Sequence, residues 1–358
     1  MEKQQLTDYF KDVIGQNAIR QKFSLAISGK KLHHGYILAG RPGLGKEALA
    51  IELMKIRNCE SSRTGYCGNC KSCHDLAALS SEDLLYIQPT VKESENSADM
   101  PDYIGKELAK KGSLKGYYKL NYPTSGNISI DQIKEIREFA RFASLRRSAK
   151  FVIIYPAEGM NKEAQNALLK VLEEPPADFH FFLITENRNL LLPTIISRCQ
   201  TIDFPDLNSS DLTDYLARYI QPLPPNAQAA VANAHGSIDT LNKLISPEGA
   251  RLLEAEEKLY RIFKTTTPPE TVRQLDEFHS QCSSSDLGAQ VILESVSRRL
   301  ISDLHATNTT AALNCIARLS AYFSSALYLI ERNISLRLLF INIYLTYREE
   351  LRKWKINP

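Results

Sequence analysis

Apolar residues are scarce at the start of the sequence, so no secretory leader is expected. The chain opens on the polar run Met1-Glu-Lys-Gln-Gln and nowhere holds an uninterrupted apolar stretch long enough to span a bilayer. Neither a secretory signal nor a membrane-spanning helix is expected on this pattern, and the expectation is a cytoplasmic protein with no membrane partner. A strong charge of one sign is missing too: the formal net charge is +3, which permits contact with nucleic acid without demonstrating it. The seven cysteines are an odd number, and four crowd between positions 59 and 73. That distribution disfavours a disulfide framework and suits a metal clip in a reducing compartment.

Two further absences concern chemistry. Gly40-Arg41-Pro42-Gly43-Leu44-Gly45-Lys46-Glu47 lies between an apolar run (Tyr36 to Ala39) and a helical pattern (Ala48 to Ile56), and almost spells the phosphate-binding loop G-x-x-x-x-G-K-[ST]. In that loop, glycines let backbone N–H groups close on phosphate oxygens, and the lysine and the helix N-terminus add positive charge. Gly40, Gly43, Gly45 and Lys46 suit that cradle. Glu47 stands where a hydroxyl for Mg²⁺ belongs and sets a second negative charge against the phosphates. The second absence is on the apolar run Phe151 to Tyr155, the candidate for the strand that carries catalytic acids. Tyr155 and Pro156 occupy the places of an Asp for Mg²⁺ and a Glu for water, and Glu158 lies further along on a different face. Nucleotide is expected to bind this degenerate loop weakly or not at all.

What is present suffices for two or three domains: 358 residues, 43% of them hydrophobic. Val13, Ile14, Ala18, Ile19, Phe23, Leu25 and Ala26 predict a turn at Gly15-Gln16 and an amphipathic helix ending near Gly29. Short strands are expected at 84–88, 179–185 and 201–204, and a helix from Ser129-Ile-Asp131 with a stripe of Ile133, Ile136 and Phe139. Another helix opens at Met160-Asn161 and is stopped by Pro175-Pro176, and a short one lies between Leu191 and Cys199. Strands alternating with helices argue for an α/β domain, a parallel sheet with helices on both faces. Beyond Asp206 only helical patterns follow, in a small unit near 209–246 and a longer one near 250–354. The last carries the apolar stripe Ile334, Leu336, Leu338, Leu339, Ile341, Ile343 and Leu345, the pattern of a plain core or of a packed interface helix.

Cys59, Cys67, Cys70 and Cys73 fall within fifteen residues, with two-residue gaps that turn the chain back toward one centre. This is the spacing of a tetrahedral, closed, structural Zn²⁺ site, although iron–sulfur clusters use similar runs. From 90 to 127 the sequence turns polar, with Lys106, Lys110, Lys111, Lys115 and Lys119 among Tyr103, Tyr117, Tyr118 and Tyr122. Such a segment could track a nucleic-acid backbone, or be a solvated insertion diluted by Asp99, Asp102 and Glu107. Glu173 and Glu174 look like a catalytic pair, but adjacent carboxylates at a helix end do not face each other, so a helix-end and interface role is preferred.

The run Asn161 to Pro176 (NKEAQNALLKVLEEPP), the segment Leu191 to Gln200 (LLPTIISRCQ), the start Val13-Ile-Gly-Gln16 and the four-cysteine insert together resemble bacterial clamp-loader subunits of the AAA+ ATPase family. The resemblance implies an AAA+ P-loop domain over 1–206 with a four-Cys zinc module (about 57–75) and a polar insertion (about 90–127). It also implies a helical lid at 207–247 and a helical collar domain at 248–358. It gives Arg198, in Ser197-Arg198-Cys199, the role of an arginine finger reaching in trans into a neighbour's ATP site, where a guanidinium forks onto phosphate oxygens. Local pairing of Arg198 with Glu173 or Glu174 is the competing reading. The partners implied are a motor ATPase and a delta-type subunit in a hetero-oligomeric ring that acts in DNA replication, with the sliding clamp and primed DNA reached through the complex. The alternative within the family is a working ATPase in which Glu47 binds Mg²⁺ and Glu158 is the base.

Overall fold

The computed structural model describes residues 9–29, 31–62, 65–89, 117, 127–141, 149–265, 268–282, 286–307, 309–330 and 335–356. The polar insertion at 90–127, apart from Tyr117 and Asn127, lies outside the described residues. The chain divides into two compact units: Met1–Ala227 with Ala234–Asn242, and Gln228–Asn233 with Lys243–Pro358. The segment expected to be a separate lid is shared between them.

The first unit is built on five strands, β1 (Gly35–Ala39), β2 (Leu84–Ile87), β3 (Lys150–Ile154), β4 (Phe179–Thr185) and β5 (Gln200–Asp203). All pair in parallel, in the order β2-β3-β4-β1-β5. Parallel neighbours need crossovers, and the helical patterns between the apolar runs supply them. The inner strands β1, β3 and β4 are buried on both faces, which is why they read as continuous apolar runs without alternation.

Helices cover both faces. Alternate residues Ile37, Val152, Ile154, Phe181 and Leu183 join one core with Ile133 and Ile136 of α4 (Ile130–Arg141), Leu168 of α5 (Lys162–Glu173) and Ile195 of α6 (Pro193–Ile196). Tyr36 and Phe182 point the other way: their rings stack, and Tyr36 meets Phe23 of α1 (Asn17–Ser28) at 5.0 Å between centroids. Leu25 was expected on the buried stripe of α1 and is instead 64% exposed. The helix is amphipathic about Ile19 and Phe23, and Leu25 falls outside that narrow arc.

Local chemistry sets the helix starts. Asn161 caps α5 by accepting from Ala164 N at 2.8 Å, the place its sequence predicts. At α4 the cap is Ser129, whose hydroxyl accepts from Gln132 N while Gln132 Oε1 accepts from Ser129 N, and Asp131 sits in the first turn. α2 (Lys46–Asn58) follows the glycine loop and α3 (Lys71–Ala77) follows the cysteine cluster; α7 (Ser209–Tyr219) opens on a capping box between Asn208 and Asp211. α8 (Ala227–Asn233) and α9 (Ile238–Ile245) come next.

The second unit contains α10 (Pro247–Thr265), α11 (Pro268–Cys282), α12 (Asp286–Ala306), α13 (Thr310–Ile330) and α14 (Leu336–Lys353). Its core holds Leu259, Phe263, Phe278, Leu293, Leu319 and Tyr344, with Phe263 edge-on to Tyr344 and Phe278 edge-on to Phe340. Of the α14 stripe, Leu339 and Ile343 are buried in this core, whereas Leu338 and Leu345 are 62% and 50% exposed.

Candidate functional site

Strand β1 delivers the chain into the glycine loop, where Gly40, Gly43 and Gly45 have φ of +147°, +73° and +90°. L-residues with a side chain rarely adopt such backbone, so the loop needs glycine. At Gly43 space adds its own demand: a Cβ there would stand 2.1 Å from Asp239 N. The start of α9 packs directly on the loop, with Ile238 N donating to Gly43 O at 3.1 Å and the Ser237 hydroxyl to Pro42 O at 2.9 Å. Arg41 ties the same edge, pairing with Asp206 at 2.7 Å and donating to His235 O.

The two residues that decide phosphate chemistry are both engaged. Lys46 is buried, and its ammonium donates to the carbonyls of Gly40 and Arg41. The Glu47 carboxylate, also buried, accepts from the Tyr86 hydroxyl at 2.5 Å. Tyr86 stands on β2, the edge strand, a partner thirty-nine positions away that no local pattern announces.

At the tip of β3 stands Tyr155, buried, where an acid would serve Mg²⁺. Burial pushes its phenol well above its ordinary value, and the nearby Glu47, Glu186, Asp239 and Glu158 carboxylates push it the same way. A neutral phenol is a poor Mg²⁺ ligand. Glu158 does not replace the missing acid, because its Oε1 accepts from Glu186 N at 2.9 Å. Thr185 ends β4 as expected, but its hydroxyl accepts from Asn187 N at 3.0 Å and its carbonyl from Gly40 N at 3.1 Å.

Arg198 follows α6, whose first position is Pro193, a residue whose missing N–H costs nothing at a helix start. Its guanidinium lies at the surface, 35% exposed, with Nη2 at 2.7 Å from Glu173 Oε1 and Nη1 donating to Thr194 O at 3.1 Å. The local pairing raised as the competing reading is therefore present, with Glu173. Neighbouring Cys199 is buried, and burial pushes its thiol up to about 12, so it is an inert core residue.

The four thiols converge. Sγ atoms of Cys59, Cys67, Cys70 and Cys73 all lie within 4.8 Å of one another; sulfurs each ~2.3 Å from one tetrahedral Zn²⁺ would stand ~3.8 Å apart. Backbone N–H groups point at the sulfurs: Cys67 N at Cys59 Sγ, Asn69 N and Cys70 N at Cys67 Sγ, and Cys73 N at Cys70 Sγ, over 3.2 to 3.5 Å. Those of Asn69 and Cys70 hold the Cys67 thiol down, at about 6, favouring the thiolate that binds metal. These four residues could hold one metal ion with no open position.

A buried network joins this module to the glycine-loop helix. Glu52 of α2 accepts from the Tyr66 hydroxyl and, at 2.6 Å, from Asp12 N; Asp12 in turn accepts from the Tyr219 hydroxyl at 3.0 Å and lies 3.7 Å from the Lys55 ammonium. Burial raises the Glu52 carboxyl to about 7.

The family model described as DNA polymerase III, delta subunit, matches residues 15–208, more than half of the chain. The chain belongs to this family. Among relatives, the DNA polymerase III subunit delta' of Pseudomonas aeruginosa is 30% identical over 242 residues, covering 66% of this chain and 64% of that one. The delta' subunit of Bacillus subtilis is 29% identical over 213 residues (60% and 54%), and the tau subunit of the same organism 27% over 260 residues (70% and 40%). The match thus spans about half the length of these relatives. The crystal structure of a DNA polymerase III gamma subunit-related protein from Thermotoga maritima aligns over 92% of this chain and 98% of that one, at 19% identity and a TM-score of 0.43. The family membership and the parallel five-stranded sheet bear out the expected AAA+ α/β domain followed by helices. Among the described residues no helix is long and apolar enough to cross a membrane.

Proposed function

We propose that this chain is a delta'-type, non-hydrolysing subunit of a bacterial clamp loader, a stator that offers Arg198 in trans to the ATP site of a neighbouring motor ATPase. The observation that carries the reading is the contrast between its two halves. The catalytic side lacks an acid at the end of β3 and has Glu47 and Glu158 engaged by Tyr86 and Glu186 N. The guanidinium of Arg198, by comparison, sits at the surface beside Glu173. That same engagement disfavours a working ATPase using Glu47 for Mg²⁺ and Glu158 as base.

Zn²⁺ held by the four cysteines would be structural, since every ligand comes from the protein. The exposed Leu338 and Leu345 on α14 suit a helix that packs against other loader subunits in a ring. Through that ring the chain would help place the sliding clamp on primed DNA in the bacterial cytoplasm. The test is ATP turnover by the isolated chain and by the assembled loader carrying Arg198→Ala. No turnover alone, and a fall of roughly 10³-fold or more at the neighbouring site, is expected; robust turnover alone, or an unchanged loader, would reject the proposal.

A further inference from the structure

Tyr117 is the one described residue between 90 and 126, and it is 1% exposed. Its ring lies within the first unit against the glycine loop: a Cβ on Gly45 would meet its hydroxyl oxygen at 3.0 Å and its Cε1 at 3.2 Å. The hydroxyl oxygen accepts from the backbone N–H of Ile14 at 2.5 Å, and the ring packs on Tyr215 of α7 at 5.6 Å between centroids. Val13 and Ile14 beside it are buried as well.

A planar ring held by a backbone N–H on its edge and by a second aromatic ring, next to a phosphate loop, is in the surroundings a nucleobase needs. A purine or pyrimidine ring nitrogen accepts from such an N–H as the phenol oxygen does, and the base stacks where the phenol ring packs. Gly45 lies at the N-terminus of α2, so a ligand with its phosphates over 40–46 brings its ribose and base past that residue. We infer that Tyr117 fills the nucleobase subsite of a nucleotide site, an internal side chain taking the position of an adenine-type base, and that this plug keeps nucleotide off the chain. The inference rests on reading 40–46 as a nucleotide loop and is independent of the role of Arg198. It also accounts for a loop that keeps Gly45 and Lys46 yet belongs to a subunit read as non-hydrolysing.

Direct binding to the full-length isolated chain tests it, so that failure here leaves the loader experiment with Arg198→Ala untouched. The probe is a fluorescent ADP analogue with Mg²⁺, read by polarisation. Nucleotide must displace the ring before it binds, so its apparent affinity is lowered by the fraction of chains with the subsite open. Tyr117→Ala should bind at least about tenfold more tightly than the wild type. Tyr117→Phe, which keeps the ring and loses the hydroxyl, should stay near the wild type. p-Cresol, the analogue of the lost side chain, should compete with the probe on Tyr117→Ala, and Lys46→Ala added to it should abolish binding. Wild-type binding as tight as that of Tyr117→Ala, or no binding by a Tyr117→Ala chain with unchanged circular dichroism, overturns the inference. Should Tyr117→Ala not fold, Tyr117→Leu is read against the same two outcomes.

Discussion

Arg198 Nη2 stands 2.7 Å from Glu173 Oε1, joining the turn before β5 to the last residue of α5. Both groups are more than a third exposed, so the pair contributes at most about 1 kcal/mol. An arginine held that lightly is pointed and still free to leave. A guanidinium that must reach a neighbour's phosphate has to exchange this carboxylate for that one. Glu173→Gln should therefore leave the thermal midpoint within about 2 °C and raise finger engagement, read as pre-steady-state ATP turnover of the assembled loader, by up to about fivefold. Arg198→Lys should fail to restore activity because the bidentate fork is lost. A Glu173→Gln loader as slow as one with Arg198→Ala would mean that the pair is needed for reach and does not merely hold the arginine between encounters.

The Glu52 carboxyl gives stability a pH dependence with a definite sign. Burial lifts it from an ordinary 4.5 to about 7, opposed by the Tyr66 hydroxyl, Asp12 N and Lys55 and reinforced by Asp12. Because the folded value lies above the unfolded one, the stabilisation is full below about 4.5 and lost as pH rises toward 7. About 3 kcal/mol is at stake. Urea unfolding from pH 5 to 8 should show that slope in the wild type and a flatter one in Glu52→Gln. Parallel slopes would mean that the carboxyl titrates normally.

Gly43 faces two penalties at once. Alanine there would have to hold φ at +73° and force its Cβ away from Asp239 N, 2.1 Å distant. The left-handed backbone alone costs roughly 1–2 kcal/mol, and moving the start of α9 adds to it. Gly43→Ala should lower unfolding free energy by about 3 kcal/mol, measured by denaturant titration; a loss below about 1 kcal/mol would show that α9 moves off the loop with little resistance.

Metal content is checked by elemental analysis of the purified chain, which should give one zinc per protein and little in Cys73→Ser. Removing the ion with a chelator should expose the 57–75 stretch to protease, since all four converging thiols lie within it. Iron in place of zinc would assign the cluster to electron-transfer chemistry.

The strands and their helices were legible because each is a local pattern: an apolar run with a β-branched or aromatic bias, or a stripe with a cap such as Asn161 before Ala164. The loop and the thiol cluster were legible because phosphate cradles and tetrahedral sites demand fixed short spacings. What could not be read were the partners that the topology supplies. Tyr86 reaches Glu47 across 39 positions and Tyr117 reaches Ile14 across 103, and nothing in either tyrosine's neighbourhood marks the contact. Tyr117 in particular sits in a run of lysines and tyrosines that suggests a solvent-facing segment, yet it is among the largest fully buried side chains. Glu173 was placed rightly at a helix end, but its choice of Arg198 depended on how α5 and the turn before β5 meet.

Gln16 bridges two segments of the first unit. Its side-chain amide donates to Leu44 O at 3.2 Å and to Pro205 O at 2.8 Å, one small group straddling the loop before α2 and the segment leaving β5. Arg198 lies just upstream on that same exit path. A shift of the glycine loop would therefore load a hydrogen bond to the backbone that continues from the strand after Arg198.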